Sequence, residues 1–372
     1  EGERSLAPVL YPSSTFEFFT VEEGRRQATS IAPERFYSRY GNPTINAFEA
    51  TIAELEGAEA ARAFASGMGA ISAVVLGICS SGDHIVAQRQ LYAGTQLFLQ
   101  TACPRFGIDV TFVDGTQPGA FAEAVVPGKT MLVLAETPAN PRLDIIDLDA
   151  LGSIVNALTV VDSTFATPMG QTPLAHGVDL VLHSATKGIA GHNDATIGVV
   201  AGSEDLMAWL WGFAVLHGAN ASPYDAYNAH RGVRTLGIRL RQQTESARLL
   251  ADFLEAHDAV SDVRYPGLAS HPQHELAVRQ MRSMGGLLTF DLAGGLEAGR
   301  RFVEATSIAR QATSLGGPET LLCHSATTTH VSLTPEELEA SGIGDGTVRV
   351  SCGLENVDDL VADFGRGLDA AG

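Results

Sequence analysis

Val181-Leu-His-Ser-Ala-Thr-Lys-Gly188 joins a short apolar run to two hydroxyl residues and to one of the two lysines in the 372-residue sequence. The apolar run predicts a buried strand, and a lysine just past such a strand is desolvated, which favours the neutral amine. A neutral amine forms a Schiff base with an aldehyde, and Ser184 and Thr186 offer hydroxyl donors that a phosphate oxygen accepts. These residues predict that Lys187 covalently holds pyridoxal phosphate, an aldehyde that carries a phosphate. The alternative is a solvated lysine at a strand-to-loop junction.

The pattern around this stretch predicts the fold of the larger part of the chain. From about residue 45 to 230, amphipathic stretches alternate with short apolar runs. The predicted helices are Ile45–Leu55 and Gly69–Ile78, and the predicted strands are His84–Ala87, Val110–Val113, Met131–Ala135, Val160–Val161 and Leu180–His183. Such alternation is typical of a mostly parallel sheet with helices on both faces. Ligands then bind at the loops beyond the carboxyl ends of the strands.

A different pattern follows residue 232. The pattern predicts a long amphipathic helix at Arg239–His257 and another helix at Leu296–Ala305. Between them, apolar and polar residues alternate at Gly285–Leu292 as in a strand. An apolar run at Val348–Cys352 precedes a closing helix from about Val357. The predicted organisation is therefore an extended N-terminal arm at 1–36, a large α/β domain at 37–232 and a smaller α/β domain at 233–372.

Several other residues are candidates for the site. Asp162 ends an apolar run, where its carboxylate can pair with a protonated pyridine nitrogen; a turn or cap aspartate is the alternative. The segment Ala65-Ser-Gly-Met-Gly-Ala70 precedes an alanine-rich helix, so its backbone N–H groups can bind a phosphate, or it is simply a tight turn. Tyr92 offers an aromatic face, and Arg39 suits a phosphate if it is not merely solvated. Arg349 lies in an apolar run and needs an anionic partner, for which a substrate carboxylate is a candidate.

Composition excludes several classes of function. Lys+Arg 24 against Asp+Glu 43 gives 24 − 43 = −19, which disfavours nucleic acid and anionic membranes as partners. Neither a membrane-spanning apolar stretch nor a secretion signal is evident, so the expected location is cytoplasmic. Four scattered cysteines indicate no disulfide framework, and the histidines near 271–274 and 323–330 lack the spacing of a metal site.

In combination, these features resemble the Cys/Met-metabolism (transsulfuration) family of fold-type I pyridoxal-phosphate enzymes, over nearly the whole chain. The motifs that carry the resemblance are Tyr37-Ser-Arg-Tyr-Gly-Asn-Pro-Thr44, Ser66-Gly-Met68, Glu136-Thr-Pro-Ala-Asn-Pro141, Val161-Asp-Ser-Thr164, Ser184-Ala-Thr-Lys187, Ser314-Leu-Gly316, Thr329-His330 and Arg349-Val-Ser-Cys-Gly-Leu-Glu355.

The resemblance implies a role for each matched position. Lys187 holds the cofactor and shuttles protons, Asp162 pairs with the pyridine nitrogen, and Tyr92 stacks on the ring and serves as an acid or base. The residues implied to bind the phosphate are Gly67, Met68, Ser184 and Thr186, with Tyr37 and Arg39 from the neighbouring subunit. Asn140 lies near the ring hydroxyl, and Ser314 and Arg349 bind the substrate carboxylate. The expected assembly is therefore a homo-oligomer, a dimer at least and a dimer of dimers in the family's usual form.

The implied reaction is γ-elimination on a sulfur-containing or homoserine-derived L-amino acid, as in cystathionine γ-lyase, giving 2-oxobutanoate and ammonia. γ-Replacement on an activated homoserine, as in cystathionine γ-synthase or O-acetylhomoserine sulfhydrylase, is the first alternative, and methionine γ-lyase activity is the second. Gly94 and Ala214-Val215 depart from methionine γ-lyases, and Thr313 departs from the glutamate that cystathionine-specific relatives carry. The sequence is also compatible with an inactive homologue or with an aminotransferase of the same fold type.

Overall fold

The computed structural model describes residues 5–328, 331, 338 and 342–372, and its strands form two β-sheets. The large sheet contains β1 Ala60–Phe64, β2 His84–Gln88, β3 Asp109–Val113, β4 Thr130–Glu136, β5 Leu158–Asp162, β6 Leu180–His183 and β7 Gly198–Gly202. Their order is β1-β7-β6-β5-β4-β2-β3. Strands β2 to β6 are parallel, whereas β7 is antiparallel to both of its neighbours.

Helices cover both faces of this sheet. They are α2 Pro43–Glu56, α3 Gly67–Ile78, α4 Ala93–Thr101, α5 Ala120–Ala124, α6 Leu148–Gly152, α7 Thr167–Gly170, α8 Glu204–His217 and α9 Pro223–Val233. Successive residues of β6 point to opposite faces, as the strand period of two requires. Leu180 and Leu182 lie in the core with α3 and α8, whereas Val181 packs with α2 and α9. The predicted α/β fold with a mostly parallel sheet is thus confirmed.

The second sheet is mixed and smaller. Its strands are β8 Val260–Arg264, β9 Leu287–Leu292, β10 Arg310–Gln311, β11 Leu321–His324 and β12 Thr347–Ser351, in the order β10-β11-β12-β9-β8. The accompanying helices are α10 Leu236–Glu255, α11 His274–Gln280, α12 Gly295–Ala305 and α13 Val357–Ala371. Helices α10, α12 and α13 share one apolar core with these strands. The boundary predicted near 232 falls at the end of α9 and stays a prediction.

The predicted extended arm contains a helix, α1 Val21–Thr29, so the expectation of an entirely extended segment was wrong. The Thr20 hydroxyl accepts a hydrogen bond from the Glu23 N–H at 3.1 Å, and the Glu23 carboxylate accepts one from the Phe19 N–H at 2.8 Å. The first bond caps the helix at Thr20 and the second is made one residue before the cap, so this is a variant of the capping box, whose sequence signature is Thr-x-x-Glu.

Two further sequence-based expectations concern membranes and metals. None of the helices in the described residues has the length and apolar character needed to span a bilayer. Within the same ranges, no group of three or more metal-ligating side chains comes together. The motif Thr329-His330 lies outside the described residues.

Candidate active site

A cavity of about 460 Å³ opens at the carboxyl ends of the central parallel strands. Parallel strands end at the same edge of a sheet, so residues that follow β4, β5 and β6 converge there. The cavity is lined by Ser66, Gly67, Met68, Ile71, Tyr92, Glu136, Asn140, Asp162, Thr164, Phe165, Ser184, Thr186, Lys187, Thr196, Thr313, Ser314, Leu315 and Arg349. Ten of the twelve predicted site residues are therefore brought together.

Lys187 lies in the loop after β6, with its amine inside the cavity. Its Nζ donates a hydrogen bond to the hydroxyl of Ser314 at 2.8 Å. Burial lowers the pKa of Lys187, and the positive charge of Arg349 lowers it further. The structure thus favours the neutral, nucleophilic amine that the sequence predicts.

Buried Arg239 fixes the backbone next to Lys187. Its guanidinium donates to the carbonyl oxygens of Gly188 at 2.8 Å and Gly232 at 2.8 Å, and to that of Ile189 at 3.2 Å. Burial lowers the pKa of Arg239 to about 10. This side chain holds the turn after the lysine, through Gly188 and Ile189, against the last turn of α9, through Gly232.

Two buried carboxylates occupy neighbouring strand ends. Glu136 and Asp162 are direct partners in the register of β4 and β5. The Asp162 carboxylate accepts hydrogen bonds from the N–H and hydroxyl of Thr164. Burial raises the pKa of Asp162, and burial together with the charge of Asp162 raises the pKa of Glu136 to about 8. A cationic ring nitrogen near this pair would favour the ionised form of a carboxylate.

Glu136 also organises two other lining residues through the backbone. One of its carboxylate oxygens accepts from the N–H of Tyr92 at 2.7 Å, and the other accepts from the N–H of Asn140 at 2.8 Å. Glu136 belongs to one of the quoted sequence motifs, but no role was predicted for it. The signal that could have identified it is a charged residue at the end of the apolar run Met131–Ala135, the same signal that identified Asp162.

The N-terminus of α3 forms one wall of the cavity. The Ser66 hydroxyl caps this helix by accepting from the Gly69 N–H at 3.0 Å. A Cβ on Gly67 would lie 2.7 Å from the Cβ of Ser184, so only glycine allows the helix start and the loop after β6 to approach this closely. A helix N-terminus next to a serine hydroxyl is a suitable environment for a phosphate.

Arg349 enters the cavity from β12 of the small sheet. Its Nη1 donates to the side-chain oxygen of Asn140 at 2.9 Å, and its Nη2 donates to the backbone oxygen of Ser314 at 2.9 Å. The Nε atom is buried and has no partner within the described part of the chain. A buried guanidinium with a spare donor is suited to an anionic ligand, because a carboxylate would satisfy both the charge and the N–H group.

Tyr92 stands at the start of α4 and is partly exposed to the cavity. Its ring lies against Gly94, where an added Cβ would be 2.5 Å from Cε1 of the tyrosine. The absence of a side chain at position 94 therefore sets where the Tyr92 ring can lie.

The structure also shows the surroundings of three other residues that were predicted to bind the phosphate. The Thr186 hydroxyl donates to the Ile197 oxygen at 3.1 Å and accepts from the Ile197 N–H at 2.9 Å, so its proton is already used. Tyr37 and Arg39 do not line the cavity of their own chain. Arg39 donates to the backbone oxygen of Val215 at 2.7 Å. Their predicted contribution to a neighbouring subunit stays a prediction.

Taken together, the cavity fits pyridoxal phosphate, since it combines a desolvated amine, a buried carboxylate and a helix N-terminus. The profile of the "Cys/Met metabolism PLP-dependent enzyme" family matches residues 1–369. The chain belongs to this family. As a family member it is a pyridoxal-phosphate-dependent lyase or transferase of methionine and cysteine metabolism that acts on amino-acid substrates.

Relatives in this family carry different activities. The chain is 44% identical over 371 residues to L-methionine gamma-lyase of Porphyromonas gingivalis, covering 98% of this chain and 93% of that protein. It is 42% identical over 373 residues to O-succinylhomoserine sulfhydrylase of Pseudomonas aeruginosa, covering 100% and 92%. The solved structure of cystathionine gamma synthase from Xanthomonas oryzae with cystathionine has a TM-score of 0.91 and 38% identity, covering 99% and 94%. Similarity therefore supports chemistry at the γ-carbon, by elimination or replacement, without selecting one activity.

Proposed function

We propose that the protein catalyses γ-elimination on L-amino acids whose γ-sulfur or γ-oxygen substituent carries no charge, releasing 2-oxobutanoate and ammonia. The observation that carries this proposal is a cavity that contains a desolvated Lys187 amine and a buried Arg349, and whose described acidic lining residues already accept hydrogen bonds from the protein. This keeps the γ-elimination expected from the sequence but replaces the expected cystathionine γ-lyase-like substrate with one whose γ-substituent is uncharged.

Each step is assigned to a residue of this chain. When bound, pyridoxal phosphate supplies an electron-withdrawing ring that stabilises negative charge on the substrate carbons. Arg349 would bind the substrate carboxylate, and Asp162 would supply the counter-charge for the ring nitrogen. The Lys187 amine removes the Cα proton and then a Cβ proton, and the Tyr92 hydroxyl protonates the leaving group. Gly67, Met68 and Ser184 bind the phosphate.

The charges in the cavity support the proposed choice of substrate. Asp162 and Glu136 are the acidic residues among its described lining residues, and both accept hydrogen bonds from the protein. The side chains of Ile71, Phe165 and Leu315 are apolar. A second ammonium group, such as the distal one of cystathionine, would find no free carboxylate among these described residues and would be desolvated at a cost.

A γ-replacement activity is the second candidate. It is favoured by the 42% identity to O-succinylhomoserine sulfhydrylase of Pseudomonas aeruginosa. One fold supports both outcomes, so the fold does not select between them.

We further propose that the active assembly is at least a dimer. Tyr37 is 42% exposed, and with Arg39 it lies outside the cavity of its own chain. These two residues would complete the phosphate site of a neighbouring subunit.

The test compares 2-oxobutanoate release from L-methionine, O-acetyl-L-homoserine and L-cystathionine, each with and without L-cysteine. We expect kcat/KM to be higher for the two substrates with uncharged substituents, and release to persist when cysteine is present. A preference for cystathionine would refute the substrate assignment, and a thioether product replacing the keto acid would identify a transferase. Lys187→Ala should abolish release, whereas Lys129→Ala, at the other lysine, which is exposed and paired with Asp109 at 2.7 Å, should leave it unchanged.

A further inference from the structure

Three consecutive residues of the loop after β4 bind the small sheet, and we call them the bridge segment (140–142). The Asn140 side chain accepts from Arg349 on β12 at 2.9 Å. The Pro141 carbonyl accepts from the Thr289 hydroxyl on β9 at 2.6 Å. Arg142 donates to carboxylates on β9 and β8. Since β12, β9 and β8 are adjacent in that order, the bridge segment crosses three strands of the second sheet in sequence.

Arg142 is the charged anchor of the bridge segment. It is only 9% exposed, and its two terminal nitrogens bind different carboxylates, Asp291 at 2.7 Å and Asp262 at 2.6 Å. Charge-assisted hydrogen bonds in a buried environment are stronger and more directional than neutral ones. Arg142 therefore fixes the loop that leaves β4 relative to two strands of the small sheet.

The orientation of Arg349 depends on this loop. One of its two contacts in the cavity is to the Asn140 side chain, two positions before Arg142. The Asn140 N–H is held from the other direction by Glu136 at 2.8 Å. A guanidinium directed by a neighbouring amide keeps its ligand-binding geometry only while that amide stays in place.

We propose that Arg142 is a positioning residue for recognition of the substrate carboxylate, acting through the bridge segment on Asn140 and Arg349. This inference rests on the proposed function, in which Arg349 binds that carboxylate. Arg142 itself lies outside the residues that line the cavity. It influences ligand affinity by holding Arg349, on the small sheet, at a fixed position relative to the large sheet.

The experiment measures binding of L-norvaline, an amino acid without a γ leaving group, to the cofactor-loaded protein by isothermal titration calorimetry. We expect Arg142→Gln to weaken norvaline binding by roughly fivefold to tenfold and to raise KM more than it lowers kcat. Arg142→Lys, which keeps the charge but not the two-pronged geometry, should recover binding only partly. The affinity of each Arg142 variant for pyridoxal phosphate, measured by the visible absorbance of the bound cofactor, should equal that of the unmodified protein.

Arg264 supplies the matched control. It binds the same Asp262 at 2.8 Å, but both residues lie on β8, so this pair does not link the two sheets. Arg264→Gln should change norvaline binding less than twofold, within the spread expected for a surface ion pair. Equal effects of the two variants would overturn the proposal, because the loss would then follow from removing either arginine partner of Asp262 and not from the link between the sheets. Unchanged binding in Arg142→Gln would overturn it as well.

Failure of the proposed function has a separate signature. Arg349→Gln should weaken norvaline binding more than Arg142→Gln does. If Arg349→Gln binds norvaline normally, the carboxylate assignment is wrong. If Arg349→Gln weakens binding and Arg142→Gln does not, the assignment stands and the positioning role is wrong. Urea unfolding of each variant identifies any that loses its fold, and in that case Asp291→Asn tests the same bridge contact.

Discussion

Ser314 combines two properties that substitutions can separate. Its hydroxyl accepts the hydrogen bond from Lys187 Nζ at 2.8 Å, and its backbone has φ of 78°, in the left-handed region that side chains disfavour. Ser314→Ala removes the hydroxyl and keeps the Cβ, whereas Ser314→Gly removes both. Comparing the two variants therefore distinguishes the hydroxyl contact from the backbone strain.

Both expected effects have a calculable size. A Cβ in the left-handed region costs about 1–2 kcal/mol. Glycine avoids this cost but loses about 0.5–1 kcal/mol in backbone entropy on folding. The glycine variant should thus be more stable than the alanine variant by about 0.5–1 kcal/mol. Loss of one hydrogen bond of about 1 kcal/mol should lower kcat/KM by about fivefold in both variants.

Stability is measured by urea unfolding at equal protein concentrations, and kcat/KM by 2-oxobutanoate release. Asn156, an exposed residue with φ of 71°, provides a calibration pair, Asn156→Ala and Asn156→Gly, far from any predicted role in catalysis. An alanine variant as stable as the glycine variant at position 314 would contradict the strain argument. Unchanged kinetics in both would show that the hydroxyl does not hold the lysine.

Three further predictions concern other parts of the chain. Gly94→Ala places a Cβ 2.5 Å from the Tyr92 ring and should lower kcat/KM about tenfold by displacing it. Gly212→Ala, with nothing within 4 Å of the added atom, should leave kcat/KM unchanged. Burial raises the pKa of Glu49 from 4.5 to about 7. Its proton is held more tightly in the folded state, so its contribution to stability is fully present below the unfolded pKa and is lost as pH rises through about 7. In Glu49→Gln, the free energy of unfolding measured with urea should therefore fall less steeply between about pH 5 and 8. Arg239→Met leaves three backbone carbonyls without donors and should lower the free energy of unfolding by about 2–4 kcal/mol in urea titrations.

These predictions can fail in distinct ways. Equal kinetics in the Gly94 and Gly212 variants would mean that the tyrosine ring is free to move. A pH profile that keeps its slope after Glu49→Gln would assign the slope to another group. A loss below about 1 kcal/mol for Arg239→Met would mean that water replaces the guanidinium.

Sequence patterns were sufficient to predict the central strands of the large sheet, because these strands are short and apolar and the segments between them have helical periodicity. All five strands predicted in the large domain are present, with bounds shifted by a few residues at most. Strands β1 and β7 were not predicted, since Ala60–Phe64 and Gly198–Gly202 contain alanine and glycine, which have low strand propensity. They form because β7 pairs with β6 and β1 then pairs with β7 at the edge of the sheet.

For the site, the sequence indicated which residue types were present but not which contacts they make. Lys187 and Asp162 could be predicted because each follows an apolar run. The two hydrogen bonds between the Thr186 hydroxyl and the backbone of Ile197 could not be predicted. Ile197 directly precedes β7, a strand that the sequence pattern did not reveal. Arg239 acts through backbone carbonyl groups, which leave no signal in the sequence, whereas Glu136 follows an apolar run and could have been identified in the same way as Asp162.

The contacts within the cavity also have a consequence for how the protein is made. Lys187 meets Ser314 across 127 residues, and Asn140 meets Arg349 across 209. A nascent chain that has emerged only through β7 already contains the reactive amine and its neighbouring carboxylate, but neither Ser314 nor Arg349. The contacts that hold the lysine and the carboxylate-binding arginine in the cavity therefore form only when the second sheet is complete. The charge of Arg349, which helps to lower the pKa of Lys187, also arrives with that sheet.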